Sequence, residues 1–127
     1  MGPEKTFETK IKNFIESERG WQVKFFANSY TKNGIPDILA CVNGHFIGIE
    51  VKAENGKPSP IQIYHCEAIR KAGGFAFILY PSGFEDFKQF VYGLSCDEFT
   101  TEMPLILKGE KNGKNTKRRN WKTTFWY

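Results

Sequence analysis

Apolar positions fall at helical spacing near the start of the chain and change to a period of two soon afterwards. Phe7, Ile11, Phe14 and Ile15 predict a helix over about residues 4–18, with Gly20 as its stop. Trp21 to Phe26 reads as a strand, and residues 28–36 are polar and rich in turn formers. Two β-branched-rich runs then flank Asn43-Gly44, the dipeptide suited to a two-residue type I′ turn, so residues 37–54 predict a hairpin. After a loop at 55–58, Ser59 can cap a helix that has Pro60 at its first position and runs to about Ala72 before Gly73-Gly74. Phe75 to Tyr80 is an apolar run of strand length. A helix over 84–92 follows, with Phe84, Phe87, Phe90 and Val91 on one side. The predicted order is αβββαβα, an α/β fold with a mixed sheet flanked by helices. Leu105 to Leu107 and a segment near Trp121 could pair as a further hairpin around Asn112-Gly113.

The turn at Asn43-Gly44 sets a register. If Val42 faces His45, Ile38 faces Ile49 and Asp37 falls opposite Glu50. Directly opposed side chains have Cβ atoms about 5 Å apart, where two like charges repel, so a cation belongs between them. Lys52 projects from the same face, about 7 Å further along the strand. The other face carries Ile38, Ala40, Val42, Ile47, Ile49 and Val51, which reads as the core side. Two carboxylates beside an open position suit a hard, oxygen-seeking ion such as Mg²⁺, in a phosphodiesterase-type arrangement.

The first helix offers a further acid. Glu8 borders the inward stripe of Ile11 and Ile15 and could reach the sheet, or could equally decorate a solvated helix; Glu4, one turn earlier, is the weaker candidate. Gln62 also has two readings. Ser59-Pro60-Ile61-Gln62 fits an S-x-x-Q capping box, yet the amide follows the Glu50-Val51-Lys52 strand closely enough to hold Lys52, a water or a phosphate oxygen. His45 and His65 have no metal partner in the pattern.

A length of 127 residues, 40% hydrophobic and 16% aromatic, predicts one domain with a real core over residues 1–95 and an extension over 96–127. No run has the length of a membrane span and no secretory signal is visible, so a cytoplasmic protein is expected. Cys41, Cys66 and Cys96 are odd in number and lack CxxC spacing, which suggests neither a disulfide framework nor a zinc site. The net charge of +4 is uneven: seven of the 18 basic residues lie between Lys108 and Lys122, against Glu110 alone. Lys114, Lys117, Arg118, Arg119 and Lys122, interleaved with Trp121 and followed by Phe125, Trp126 and Tyr127, suit a nucleic acid whose phosphates meet the cations and whose bases meet the rings. A solvated tail is the competing reading.

Gly34-Ile35-Pro36-Asp37, Glu50-Val51-Lys52 and Ser59-Pro60-Ile61-Gln62, preceded by a helix with an acid, resemble in order and spacing the PD-(D/E)xK nuclease superfamily and, within it, the virus-type replication-repair nuclease (VRR-NUC) group. The resemblance covers roughly Glu8 to Leu79. It implies a restriction-endonuclease-like core and a Mg²⁺- or Mn²⁺-dependent DNA endonuclease, with small standalone members looking like Holliday-junction resolvases that act as homodimers. On that reading Asp37, Glu50, the Val51 carbonyl and Glu8 hold the metal, Lys52 orients or activates the attacking water, and Gln62 is the family's glutamine. It further implies branched DNA as partner, no membrane, and a phage or mobile-element source in an infected or bacterial cell. A flap or restriction-type nuclease shares the same core, and a non-catalytic module that only recognises DNA structure is the alternative from another class. The intact Asp37, Glu50 and Lys52 weigh against the latter.

Overall fold

The computed structural model describes residues 2–95 and 103–109. Its elements are α1 (Pro3–Ser17), β1 (Trp21–Lys24), β2 (Ile38–Val42), β3 (His45–Val51), α2 (Pro60–Lys71), β4 (Phe75–Leu79), a 3-10 turn (Pro81–Gly83), α3 (Phe84–Ser95) and β5 (Ile106–Leu107). The expected αβββαβα order is present, with β5 added at the end. The strands form one sheet in the order β1-β2-β3-β4-β5, antiparallel across β1, β2 and β3 and parallel across β3, β4 and β5. Parallel neighbours need a long crossover, and α2 supplies the one between β3 and β4.

Alternation along the strands decides which side each helix covers. Ile38, Ala40, Val42, Ile47, Ile49, Val51, Phe77 and Leu79 face a core shared with Phe7, Ile11 and Ile15 of α1 and with Phe84, Phe87, Phe90, Val91 and Leu94 of α3. Ala76 and Ile78 point the other way and pack with Cys66, Ile63 and Ile69 of α2. The hairpin has the register its turn requires, Val42 opposite His45 through to Ile38 opposite Ile49, with Asn43 and Gly44 at φ of 49° and 83°. The Asn43 side-chain amide also donates to the Leu94 carbonyl at 2.7 Å, which ties the turn to the end of α3.

The chain reaches β2 through a loop that lies against the first turn of α2. Gly34, at φ +79°, has space for no side chain there: a Cβ would stand 2.9 Å from the Ile61 backbone. This close approach delivers Pro36 and Asp37 to the end of the sheet.

Within Leu105 to Leu107, Ile106 and Leu107 form a strand, but its described partner is β4, in parallel. Met103 and Leu107 are buried, and the Arg70 guanidinium donates to the carbonyls of Ala76, Met103 and Pro104 at 2.9, 2.6 and 2.9 Å. The expected partner strand near Trp121, the turn at Asn112-Gly113, and Lys114, Lys117, Arg118, Arg119 and Lys122 lie outside the described residues. Among the described residues no helix is long and apolar enough to cross a membrane.

Candidate active site

The site lies where β2 begins and β3 ends. Asp37 stands one residue before β2, and two backbone groups fix it: the Phe25 N–H donates to its carbonyl at 2.8 Å, and the Val51 N–H donates to its Oδ2 at 2.9 Å. Continuing the hairpin register by one step puts Asp37 opposite Glu50, as the sequence predicts. Glu50 is only 3% exposed. Its carboxyl is pushed up to about 8, first by burial and then by the Asp37 charge and a side-chain hydrogen bond with Asp37, with Lys52 pulling the other way. The Lys52 ammonium is 3.8 Å from Glu50 Oε2. Ile49 and Val51, on either side of Glu50, face the core under α1 and α3, so alternation turns Glu50 to the α2 side of the sheet, where burial and next Glu50 push the Cys66 thiol of α2 up to about 12.

Glu8 is buried on α1, as its position beside the apolar stripe allows, and lysines meet its charge. Lys24 Nζ lies 3.2 Å from Glu8 Oε1 and 3.8 Å from Asp37 Oδ1, and Lys12 Nζ lies 3.7 Å from Glu8 Oε2. Glu8 is thus linked to Asp37 through Lys24. Exposed Glu4 contributes the last and smallest of the influences raising Glu50, and Glu8 is not among them.

Lys24 carries no motif. Residues 25–37 separate it from β2 by a connection too long to fix a register from sequence, so its pairing with Ile38 could not be foreseen. The only signal is the alternation of Gln22 and Lys24 with Trp21 and Val23, which places both polar side chains on one face.

Gln62 realises the capping box. Its backbone N–H donates to Ser59 Oγ at 3.3 Å and its Oε1 accepts from the Ser59 N–H at 2.9 Å. The amide oxygen is committed to the cap, so only the amide nitrogen could serve the site. Gln62→Ala is expected to lower stability by about 1 kcal/mol, whereas Gln62→Glu, which rebuilds the box as S-x-x-E, should cost only a few tenths, as urea denaturation would measure.

The donor set fits a hard divalent cation. Asp37 and Glu50 offer only oxygen, their mutual repulsion is relieved by a cation, and Val51 carries a backbone carbonyl between Glu50 and Lys52. Among the described residues no three His, Cys, Asp or Glu side chains group to hold a metal on their own. Two carboxylates with the remaining positions left to water and phosphate is the habit of Mg²⁺ rather than of a closed structural site.

A family profile described as archaeal Holliday junction resolvase (hjc) matches residues 4–82. That span runs from the first turn of α1 to the 3-10 turn and contains Glu8, Asp37, Glu50, Lys52 and Gln62. Comparison with curated proteins finds no match. With more than half of its length matched and the mixed sheet in place, the chain belongs to the archaeal Holliday junction resolvase family of the PD-(D/E)xK superfamily, a structure-selective, metal-dependent endonuclease that hydrolyses DNA phosphodiester bonds.

Proposed function

We propose that the chain resolves four-way DNA junctions with Asp37, Glu50 and the Val51 carbonyl holding Mg²⁺ or Mn²⁺. The observation that carries this reading is the opposed acid pair: Glu50 is buried against Asp37 and pushed up to about 8, a costly arrangement in a metal-free fold that a divalent ion relieves. When bound, such an ion activates water and neutralises charge at the scissile phosphate. Lys52, beside Glu50, orients the attacking water and meets the phosphate. The amide nitrogen of Gln62 donates to that phosphate or holds Lys52, while its oxygen keeps the helix capped. Glu8 acts at one remove by holding Lys24 against Asp37.

Paired cuts across a junction call for two such sites related by symmetry, and a homodimer provides them. The Ser59 to Gln62 box after the Glu-Val-Lys strand supports a kinship with the VRR-NUC group as well, which favours a phage or mobile-element source. The experiment that tests the reading is cleavage of a labelled four-way junction beside linear duplex, flap and single strand with Mg²⁺ or Mn²⁺. Symmetric nicks at the junction alone are expected; preferential cutting of linear or flap DNA would overturn the substrate.

Lys114, Lys117, Arg118, Arg119 and Lys122 extend the DNA surface in this reading. Support comes from where the described chain leaves off. The Gly109 N–H donates to Ser82 Oγ at 2.9 Å, and that hydroxyl donates to Glu54 Oε2 at 2.6 Å, two residues past Lys52. Gly109, the last described residue before that segment, therefore sits beside the loop that follows the site. Deleting residues 110–127 should weaken junction binding and flatten its salt dependence, with the slope falling by about 0.9 for each phosphate that the shortened protein no longer neutralises. An unchanged slope in a salt titration would place the DNA surface elsewhere.

A further inference from the structure

The proposed roles leave one charged group at the site without a task of its own. Lys24 is largely buried, with its side chain 22% exposed, and its ammonium lies between Glu8 and Asp37. Among the described residues it is the cation within ion-pair distance of Asp37. The two Asp37 oxygens are used differently: Oδ2 accepts the Val51 N–H, and Oδ1 is the one Lys24 approaches. A divalent ion bound to Asp37 would therefore meet a positive charge already settled on the same carboxylate. Glu8 holds that charge more closely, at 3.2 Å as a hydrogen bond against 3.8 Å for Asp37, so Lys24 can release Asp37 without leaving its buried partner. The Phe26 ring, 5.8 Å from the ammonium, offers a further contact on the exposed side.

We infer that Lys24 is a resident counter-cation that competes with the divalent ion for Asp37 and so sets the metal affinity of the site, with Glu8 as the seat that keeps its ammonium when Asp37 is released. The inference rests on the proposed metal role of Asp37 and Glu50. Lys24 neutralises Asp37 in the metal-free protein and repels an arriving ion. Its removal therefore tightens metal binding, the reverse of what loss of a ligand or of a merely structural lysine would do.

Calorimetric titration of the full chain with Mn²⁺, without DNA, tests this. Lys24→Met should bind Mn²⁺ about tenfold more tightly or better, since each decade corresponds to a modest change in charge repulsion at this range, and Lys24→Arg should stay within about threefold of wild type. Asp37→Asn should lose uptake. If Asp37→Asn loses uptake but Lys24→Met binds as wild type or more weakly, the inference falls and the metal assignment stands; if Asp37→Asn still takes up Mn²⁺ like wild type, the assignment itself falls and the inference with it. A measurement on the unaltered protein covers the case in which Lys24→Met does not fold. Mg²⁺ should shift the Lys24 Cε and Nζ resonances in step with saturation of the site, and resonances that stay put overturn the inference.

Discussion

Glu50→Gln is expected to lower junction cleavage by about 10³-fold or more at saturating Mg²⁺, because losing one carboxylate of the proposed metal site removes several kcal/mol of transition-state stabilisation and each 1.4 kcal/mol is a decade. Junction binding measured without metal should hold within about twofold, since phosphate contacts made by cations carry most of that affinity. The substitution keeps the size of the side chain in its buried place and removes only the charge. Asp37→Asn should behave alike. Its side-chain carbonyl can still accept the Val51 N–H, so the backbone at the end of β3 keeps its anchor while the charge is lost. Lys52→Ala should differ in kind, lowering turnover more than metal affinity, because Lys52 is a neighbour of Glu50 and not a donor to the ion. Cleavage at wild-type rate in both acid variants would sink the assignment. A thermal melt of each variant in the absence of metal separates loss of chemistry from loss of fold.

Most of this site could be read from the sequence because one turn determines it. Asn43 and Gly44 both accept positive φ, that choice leaves two residues in the turn, and the pairing of every residue down to Asp37 and Glu50 follows. The alternation of Ile38, Ala40 and Val42 with Asp37 then states which face is buried. The Ser59 cap is legible for the same reason: its geometry is local, spanning the four residues from Ser59 to Gln62. The parts that could not be read depend on distant pairing. Lys24 reaches Asp37 only through the pairing of β1 with β2, across a connection with no short turn to set it. Strand β5 spans two residues, too few to show a period, and is held by β4, Arg70 and the packing of Leu107. Periodicity sets Glu8 on the inward border of α1, but it names a face and not a partner, so the lysines that hold Glu8 stay hidden in the sequence. The subfamily lies at a similar distance from the residues. The motifs resemble the VRR-NUC group, whereas the family profile that matches is that of the archaeal resolvases.

Stability of the metal-free protein is expected to fall as pH rises from about 4.5 to about 8, and divalent metal to restore more of it the higher the pH. The sign follows from Glu50, whose carboxyl is raised from an ordinary value near 4.5 to about 8. Between those values the folded state holds a proton that the unfolded state has released, so raising the pH favours unfolding. The contribution is full below about 4.5, declines through the window, and is gone above about 8; a change of that size corresponds to on the order of 5 kcal/mol. On the proposed metal role of Glu50, metal reverses the dependence because it binds the ionised carboxylate. Uptake near pH 7 must expel the Glu50 proton, so the apparent affinity rises with pH and levels off once Glu50 is ionised beforehand. Melting curves at pH 5, 7 and 9, with and without Mg²⁺, measure the first effect; calorimetry in buffers of different ionisation enthalpy counts the proton released. Glu50→Gln should flatten both, since an amide of the same shape has no proton to lose. A metal-free melting temperature that rises from pH 5 to pH 9, or metal uptake without proton release at pH 7, would mean that Glu50 is already charged in the fold and that burial against Asp37 does not control loading of the site.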